Sequence, residues 1–149
     1  MVGVIATERS LQGEKFLSTL ERYGQGVEVI KAVGQGWVEI VEQNEEHTEQ
    51  CRERVRAVVE PIIERGADVI VLGCTHYPFL KEVIRDVIGE REVEVIDSGA
   101  AVEKRVESLL DEYDLRAEAG RDAQLEFVSY ADEEYCSRLR AKACEGLLR

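Results

Sequence analysis

The residues best suited to chemistry in this sequence lie in one short segment, GCTHYP, which spans Gly73 to Pro78. Cys74 stands between an apolar run and the start of a helical pattern, where the positive end of the helix stabilises a thiolate as a base or nucleophile. His76 can donate or accept a proton nearby, and Thr75 offers a hydroxyl and N–H groups to a carboxylate. The alternative is a small packing cysteine beside a loop histidine. The convergence of strand end, glycine, histidine and helix start favours the functional interpretation.

The elements that must position this segment are strands that alternate with helices. Apolar runs rich in β-branched residues predict strands at 2–6, 27–33, 68–75, 93–97 and 125–130, and apolar residues at helical spacing predict helices at 11–23, 51–63, 78–88, 100–113 and 132–147. This alternation is typical of a parallel sheet with right-handed crossovers. The nearly all-apolar run DVIVLG at 68–73 predicts a central strand, and ligands of such sheets bind beyond the carboxyl ends of the strands.

Three interruptions of this pattern are predicted. Pro61 predicts a kink or an early end in the helix at 51–63, and Gly66 predicts a stop after it. The segment GQG at 34–36 is too short for a phosphate-binding loop and is interpreted as a turn. The polar stretch at 112–124 has no clear period, which predicts a loop or linker.

Composition narrows the possible partners and surroundings of the protein. The chain has 149 residues, 44% of them hydrophobic, and its 19 Lys and Arg against 31 Asp and Glu give a net charge of −12. A folded domain is expected, and neither nucleic acid nor an anionic membrane surface is a suitable partner. Since no apolar run approaches the length of a membrane span and the start lacks signal-peptide features, we expect a cytoplasmic protein. The four cysteines form no CxxC pair, so we expect reduced thiols and no metal site.

The GCTHYP segment resembles the motif that carries the second catalytic cysteine of glutamate racemases, in the aspartate/glutamate racemase superfamily. The similarity extends to GVIATERS at 3–10, WVEIVEQNE at 37–45, EPIIERGADVIVLGCTHYPFL at 60–80 and VIDSGAAV at 95–102. Related aspartate racemases usually carry an acidic residue where His76 stands. The histidine therefore favours glutamate as the substrate.

The resemblance implies a role for each matching residue. Cys74 corresponds to one of two thiols that act as acid and base on opposite faces of the substrate's Cα, with His76 assisting it. Glu42 corresponds to a glutamate that supports the histidine or the substrate's ammonium group. Thr7 and Ser10 occupy the hydroxyl positions that bind substrate. Because the thiols themselves act as acid and base, the resemblance implies no metal, pyridoxal phosphate, nucleotide or other cofactor.

The sequence also departs from the family in two places. The family usually has a cysteine-proline pair before the glutamate segment, whereas residues 33–36 read VGQG here. Family members also carry an N-terminal half with an aspartate-serine pair and a first cysteine, and nothing in this sequence matches those segments. Cys51, Cys136 and Cys144 lie among apolar residues at helical spacing, which is typical of packing. The resemblance therefore covers the C-terminal half of a racemase.

We therefore expect a doubly wound, mostly parallel α/β fold that forms one lobe of the two-lobed racemase architecture plus terminal elements. Residues 1–99 form the lobe with GCTHYP, and residues 100–149 form a return helix, a linker and a terminal strand and helix that in the family pack on the first lobe. The implied function is interconversion of L- and D-glutamate, which supplies D-glutamate for peptidoglycan and so serves cell wall biogenesis and cell shape. Because the apolar faces of residues 100–149 need cover, we expect a homo-oligomer or a separate N-terminal half as partner.

Two alternatives belong to other classes. The first is an inactive glutamate-binding or interaction fragment, which the unmatched first cysteine favours. The second is another racemase of the superfamily, acting on aspartate or a hydantoin, or a maleate isomerase. His76 counts against this second alternative.

Overall fold

The computed structural model describes residues 1–118, 120–121, 126–130 and 132–147. The chain divides into two compact units, Met1–Ser98 and Gly99–Arg149. The first unit contains one parallel sheet of four strands in the order β2-β1-β3-β4. Its strands are β1 (Val2–Ala6), β2 (Val29–Val33), β3 (Val69–Leu72) and β4 (Glu94–Asp97). The predicted α/β class and parallel sheet are confirmed.

Strand β3 lies inside the sheet, as its apolar sequence predicts. It pairs with β1 on one side, where Ile5 lies opposite Leu72, and with β4 on the other, where Asp97 lies opposite Leu72. The pairing with β1 continues past the end of β3, since the backbone N–H of Gly73 donates to the carbonyl of Ile5 at 2.8 Å. The ladder thereby fixes the point at which the GCTHYP segment leaves the sheet.

Helices of the first unit follow the strands in sequence and lie on both faces of the sheet. They are α1 (Glu8–Gln12), α2 (Glu14–Tyr23), α3 (Trp37–Glu42), α4 (Glu49–Glu64), a 3₁₀ helix (Tyr77–Leu80) and α5 (Lys81–Ile88). The predicted helix at 11–23 is divided at Gly13, which ends α1 and precedes α2. The early end predicted at Pro61 is wrong, because α4 continues through this residue to Glu64. The stop at Gly66 is confirmed by its left-handed φ of 96°.

The main core lies on one face of the sheet. Strand residues such as Ile5, Ile70 and Leu72 pack there against buried side chains of α3, α4 and α5. A smaller cluster on the other face joins Val4 and Ala6 of β1 to Leu11 and, in part, to Phe16. Each fully buried aliphatic side chain contributes roughly 1.5–3 kcal/mol of transfer free energy. The scaffold beneath the carboxyl edge of the sheet therefore has a core of its own.

In its described residues the second unit contains two helices, α6 (Gly99–Glu112) and α7 (Glu133–Leu147), close to the predicted ranges. The predicted strand at 125–130 is wrong over residues 126–130, which are not in a strand; Leu125 lies outside the described residues. A run of apolar residues indicates a surface that needs cover, whereas a strand also needs a neighbour for its backbone groups. Here Phe127 and Val128 remain exposed. No helix in the described parts of the chain is long and apolar enough to cross a bilayer.

Candidate active site

The loops that follow the four parallel strands leave the sheet at one edge. Thr7 follows β1, Gly34 follows β2, Gly73 follows β3 and Asp97 ends β4. This is the edge at which ligands of open parallel sheets bind. The topology therefore brings three sequence-predicted segments, GVIATERS, WVEIVEQNE and GCTHYP, to one side of the first unit.

Cys74 lies at the end of the central strand β3, with its side chain half-buried against the main core. A Cβ at Gly73 would lie 3.0 Å from the Cβ of Ala6, so glycine allows the chain to pass close to β1 at this point. The backbone N–H of Tyr77 donates to the carbonyl of Cys74 at 3.2 Å and starts the 3₁₀ helix that leads into α5. The predicted order of strand, thiol and helix start is thus present, although the first turn of the helix is 3₁₀.

His76 and Glu42 are brought together from different elements. The Nε2 atom of His76 lies 3.4 Å from Oε1 of Glu42, the last residue of α3. Because a carboxylate oxygen only accepts, the nitrogen that faces it is favoured to carry the ring proton. The other ring nitrogen, Nδ1, lies 3.4 Å from the hydroxyl of Thr75. Glu42, His76 and Thr75 therefore form a connected group beside Cys74, despite the unusual residues at 33–36.

Thr7 and Ser10 form a second polar group at the same edge. Their hydroxyl oxygens are 2.8 Å apart, and the Thr7 oxygen also accepts from the backbone N–H of Ser10 at 3.2 Å, which caps the start of α1. Ser10 is exposed, whereas Thr7 is half-buried. The ladder between β1 and β3 ends at the pair Ile5 and Leu72, two residues before Thr7 and Cys74, so both residues follow strands at the same edge of the sheet.

Tyr77 links the GCTHYP segment to the loop after β2. Its hydroxyl donates to the carbonyl of Gly34 at 3.0 Å, and its ring meets that of Trp37 edge-on, with centroids 5.0 Å apart. Burial, with the neighbouring Cys74 and Glu39, raises the pKa of Tyr77 to about 12, so the hydroxyl keeps its proton at neutral pH. The predicted turn at 34–36 is confirmed, since the N–H of Trp37 donates to the carbonyl of Gly34.

A second link was not anticipated from the sequence. The ammonium group of Lys81, the first residue of α5, lies 2.5 Å from Oδ2 of Asp97 at the end of β4. The pair joins the helix after GCTHYP to the neighbouring strand, and Asp97 places a negative charge near the positive end of α5. The only sequence signal for it is that both residues follow strands at the same edge. Across the described residues, no group of three or more His, Cys, Asp or Glu side chains is arranged to hold a metal ion.

The other three cysteines lie in the main core or in the second unit. Cys51 is fully buried in the main core, and burial together with Glu46 raises the pKa of its thiol. Its backbone N–H is capped by the hydroxyl of Thr48. The packing role predicted for Cys51 is therefore confirmed. Cys136 and Cys144 lie in α7 and are half-buried.

Comparisons with known proteins show which family and fold the chain resembles. Residues 1–105 match the family model for Asp/Glu/Hydantoin racemase. The glutamate racemase of Herpetosiphon aurantiacus is 38% identical over 140 residues, which are 94% of this chain and 55% of that protein. A solved glutamate racemase from Francisella tularensis, in complex with D-glutamate, is 25% identical with a TM-score of 0.67 over 76% of this chain and 42% of its own.

A further solved structure is similar in fold over almost the whole chain. The glutamate racemase structure from Campylobacter jejuni has a TM-score of 0.73, at 24% identity, over 99% of this chain and 56% of its own. That similarity shows the fold. The chain spans about half the length of the curated relatives it matches.

Proposed function

The chain belongs to the Asp/Glu/Hydantoin racemase family, and from this premise we propose that it carries one half of a glutamate racemase active site. One observation carries the proposal: the half-buried thiol of Cys74 follows the central strand, two residues before His76, whose Nε2 faces the carboxylate of Glu42 at 3.4 Å. Such a thiol can exchange a proton with a substrate carbon. The identity of the racemases that the chain matches supports glutamate as the substrate.

In this proposal Cys74 moves the proton on one face of the substrate's Cα. As thiolate it removes the proton from one enantiomer, and as thiol it donates a proton to the carbanion formed from the other. His76 assists the proton exchange of Cys74, while Glu42 holds the Nε2–H of the ring and so fixes its orientation. Positioned acid–base groups of this kind contribute about 10²–10⁴-fold to a rate. No cofactor takes part, since the thiol carries the proton itself.

The hydroxyl groups bind the substrate's charged ends. Thr75, Thr7 and Ser10 present hydroxyls at the carboxyl edge of the sheet, in the segments that follow two neighbouring strands. Hydroxyl and backbone N–H groups at such an edge are suitable donors to carboxylate oxygens. We assign them to the carboxylates of glutamate.

A second thiol on the opposite face of Cα comes from outside the first unit. Cys51 is excluded because its side chain is fully buried in the core. We propose that the second thiol is supplied by a racemase lobe that covers this edge, either from another part of a longer protein or from another subunit. Residues 100–149 contact that lobe, and the exposed apolar side chains of Val102 and Val106 on α6 belong to the contact.

The proposed setting is the cytoplasm, where the reaction supplies D-glutamate for peptidoglycan and so supports the cell wall and cell shape. The chain's net charge of −12 is compatible with a small-molecule enzyme that binds neither nucleic acid nor anionic membranes.

A substrate screen tests this proposal. The chain is incubated in heavy water with glutamate, aspartate or a hydantoin. Each sample contains either the chain alone or the chain complemented with the N-terminal part of the Herpetosiphon aurantiacus racemase, which this chain does not match. We expect glutamate to lose its Cα proton signal in the complemented sample, whether or not it does so with the chain alone. Aspartate and the hydantoin should lose theirs at least tenfold more slowly. Exchange of aspartate or the hydantoin in preference to glutamate would assign another racemase activity. Absence of exchange in every sample would contradict the proposal.

A further inference from the structure

We propose that Trp37 and Tyr77 are positioning residues that clamp α3 to the GCTHYP segment and thereby hold the carboxylate of Glu42 at Nε2 of His76. The consequence of this clamp for catalysis rests on the proposed racemase function. Its consequence for the histidine ring does not, because the ring can be observed without substrate.

The clamp joins the two segments at the residues that matter. Trp37 is the first residue of α3 and Glu42 is the last, so the helix holds Glu42 about 7.5 Å from the tryptophan along its axis. Tyr77 follows His76 directly in sequence. The two rings are fully buried and meet edge-on at 5.0 Å and 63°, an arrangement that aromatic pairs favour. A shift of either ring is therefore passed to one partner of the His76–Glu42 pair.

The backbone of Gly34 completes the clamp. Its carbonyl accepts from the hydroxyl of Tyr77 at 3.0 Å and from the backbone N–H of Trp37 at 3.2 Å, so both aromatic residues are tied to one atom. A Cβ at Gly34 would lie 2.6 Å from the hydroxyl oxygen of Tyr77 and 2.9 Å from the Trp37 ring. Only glycine allows this approach. The short turn at 34–36 is thus the place where the two segments are locked together.

The clamp is needed because the pair that it holds is weak by itself. The side chains of His76 and Glu42 are 25% and 36% exposed, and ion pairs with this much contact with solvent hold their geometry poorly. The buried aromatic pair lies below them, within the main core. Contacts in the buried core therefore set the orientation of the imidazole ring, as supporting residues orient functional groups in other sites.

The tautomer of His76 gives a direct readout of the clamp. Long-range proton–nitrogen NMR spectra of the labelled chain, recorded at about pH 8.5 where an ordinary imidazole is neutral, distinguish a proton on Nε2 from one on Nδ1. We expect His76 of the unsubstituted chain to hold its proton on Nε2. His47 is exposed and serves as the internal reference in the same spectrum.

Three substitutions test the inference. Tyr77→Phe removes only the hydroxyl, Trp37→Phe keeps an aromatic ring of smaller size, and Glu42→Ala shows the spectrum of a ring without its carboxylate. We expect Tyr77→Phe and Trp37→Phe to move His76 toward the Glu42→Ala spectrum, with His47 unchanged. Tyr23→Phe, at an exposed tyrosine of α2, is the matched control and leaves both histidines unchanged.

The outcomes separate this inference from the proposed function. An unchanged His76 spectrum in folded Tyr77→Phe and Trp37→Phe would overturn the clamp, as would an unsubstituted chain that shows no Nε2–H preference. If one variant does not fold, the other decides. Where the sample exchanges the Cα proton of glutamate, we expect the clamp variants to lower kcat about tenfold or more with KM nearly unchanged. A shifted tautomer without any glutamate exchange would leave the clamp in place and reject the racemase proposal.

Discussion

The two units of the chain contain similar amphipathic helices but differ in what those helices pack against. Helix α5 buries Val83, Ile84, Val87 and Ile88 in the core of the first unit. Helix α6 has no buried residue, and its Val102 and Val106 are exposed. Both helices follow a strand of the sheet. Helical periodicity therefore identifies a helix in either unit. Burial depends on a surface to pack against, which among the described residues the first unit supplies for itself and the second does not.

This difference separates the groups that form the candidate site from the groups that need a partner. Among the described residues, every buried apolar side chain lies between Val4 and Ile88. The same part of the chain holds Cys74, His76 and Glu42. We infer that the first unit orders its half of the site with its own core, while the apolar surface of the second unit serves association.

The largest effect is expected from shortening a buried apolar side chain on α5, in comparison with an exposed one on α6. Ile84→Ala should lower the free energy of unfolding by about 2–5 kcal/mol, because the side chain is fully buried and leaves a cavity. Val106→Ala on α6 should change it by less than about 0.5 kcal/mol. Urea unfolding followed by circular dichroism measures both. Equal losses for the two variants would show that α5 and α6 do not differ in how their side chains are packed.

An alkaline loss of stability is expected from Tyr77 in the first unit. Because the folded state raises the pKa of Tyr77 from 10 to about 12, its contribution is complete below pH 10 and is lost as the pH rises toward about 12. The loss is on the order of 2 kcal/mol. Tyr77→Phe should remove this contribution at a cost of about 1 kcal/mol at neutral pH, from the lost hydrogen bond. The loss that the raised pKa of the buried Cys51 thiol causes above pH 9 should remain in this variant.

The matched control for this step is Tyr113→Phe, which changes an exposed tyrosine beyond α6. Urea unfolding between pH 8 and pH 12 should give the same pH dependence for this variant as for the unsubstituted chain. A loss between pH 10 and pH 12 that is as large in Tyr77→Phe as in the unsubstituted chain would show that another group causes it.

The smallest effect on stability is expected from charging the exposed face of α6. Val102→Lys should weaken self-association or association with a racemase lobe at least tenfold, while the free energy of unfolding of the first unit changes by less than about 0.5 kcal/mol. Sedimentation measures the association. Glu103→Lys introduces the same side chain at the neighbouring exposed position and should have less effect. If the unsubstituted chain is strictly monomeric and binds no racemase lobe, the exposed face of α6 does not serve association.

Much of the fold was predictable because periodicity and strand position are local properties of the sequence. The run at 68–73 is apolar on both faces and does become an inner strand. The segment at 126–130 is also rich in apolar residues but forms no strand, because pairing depends on a neighbouring strand. Helix α3 was not predicted as a helix, since its six residues are too few to show a clear period.

The candidate site was predictable in its residue types and less so in its contacts. GCTHYP and the resemblance that it carries singled out Cys74 and His76, and the parallel topology explains why Glu42 reaches the same edge. The contact of Tyr77 with Gly34 joins residues 43 positions apart. No local pattern encodes such a contact, because it depends on how two strands are aligned.

The measurement that tests the account most directly is deuterium incorporation at Cα of L- and D-glutamate in heavy water by the complemented chain, with Cys74→Ala beside Cys51→Ala. We expect Cys51→Ala to exchange like the unsubstituted chain, since Cys51 is buried in the core. Cys74→Ala should lose exchange of at least one enantiomer, because the acid–base group on one face of Cα is gone. Equal exchange of both enantiomers by Cys74→Ala and the unsubstituted chain would contradict the central claim that Cys74 moves the proton.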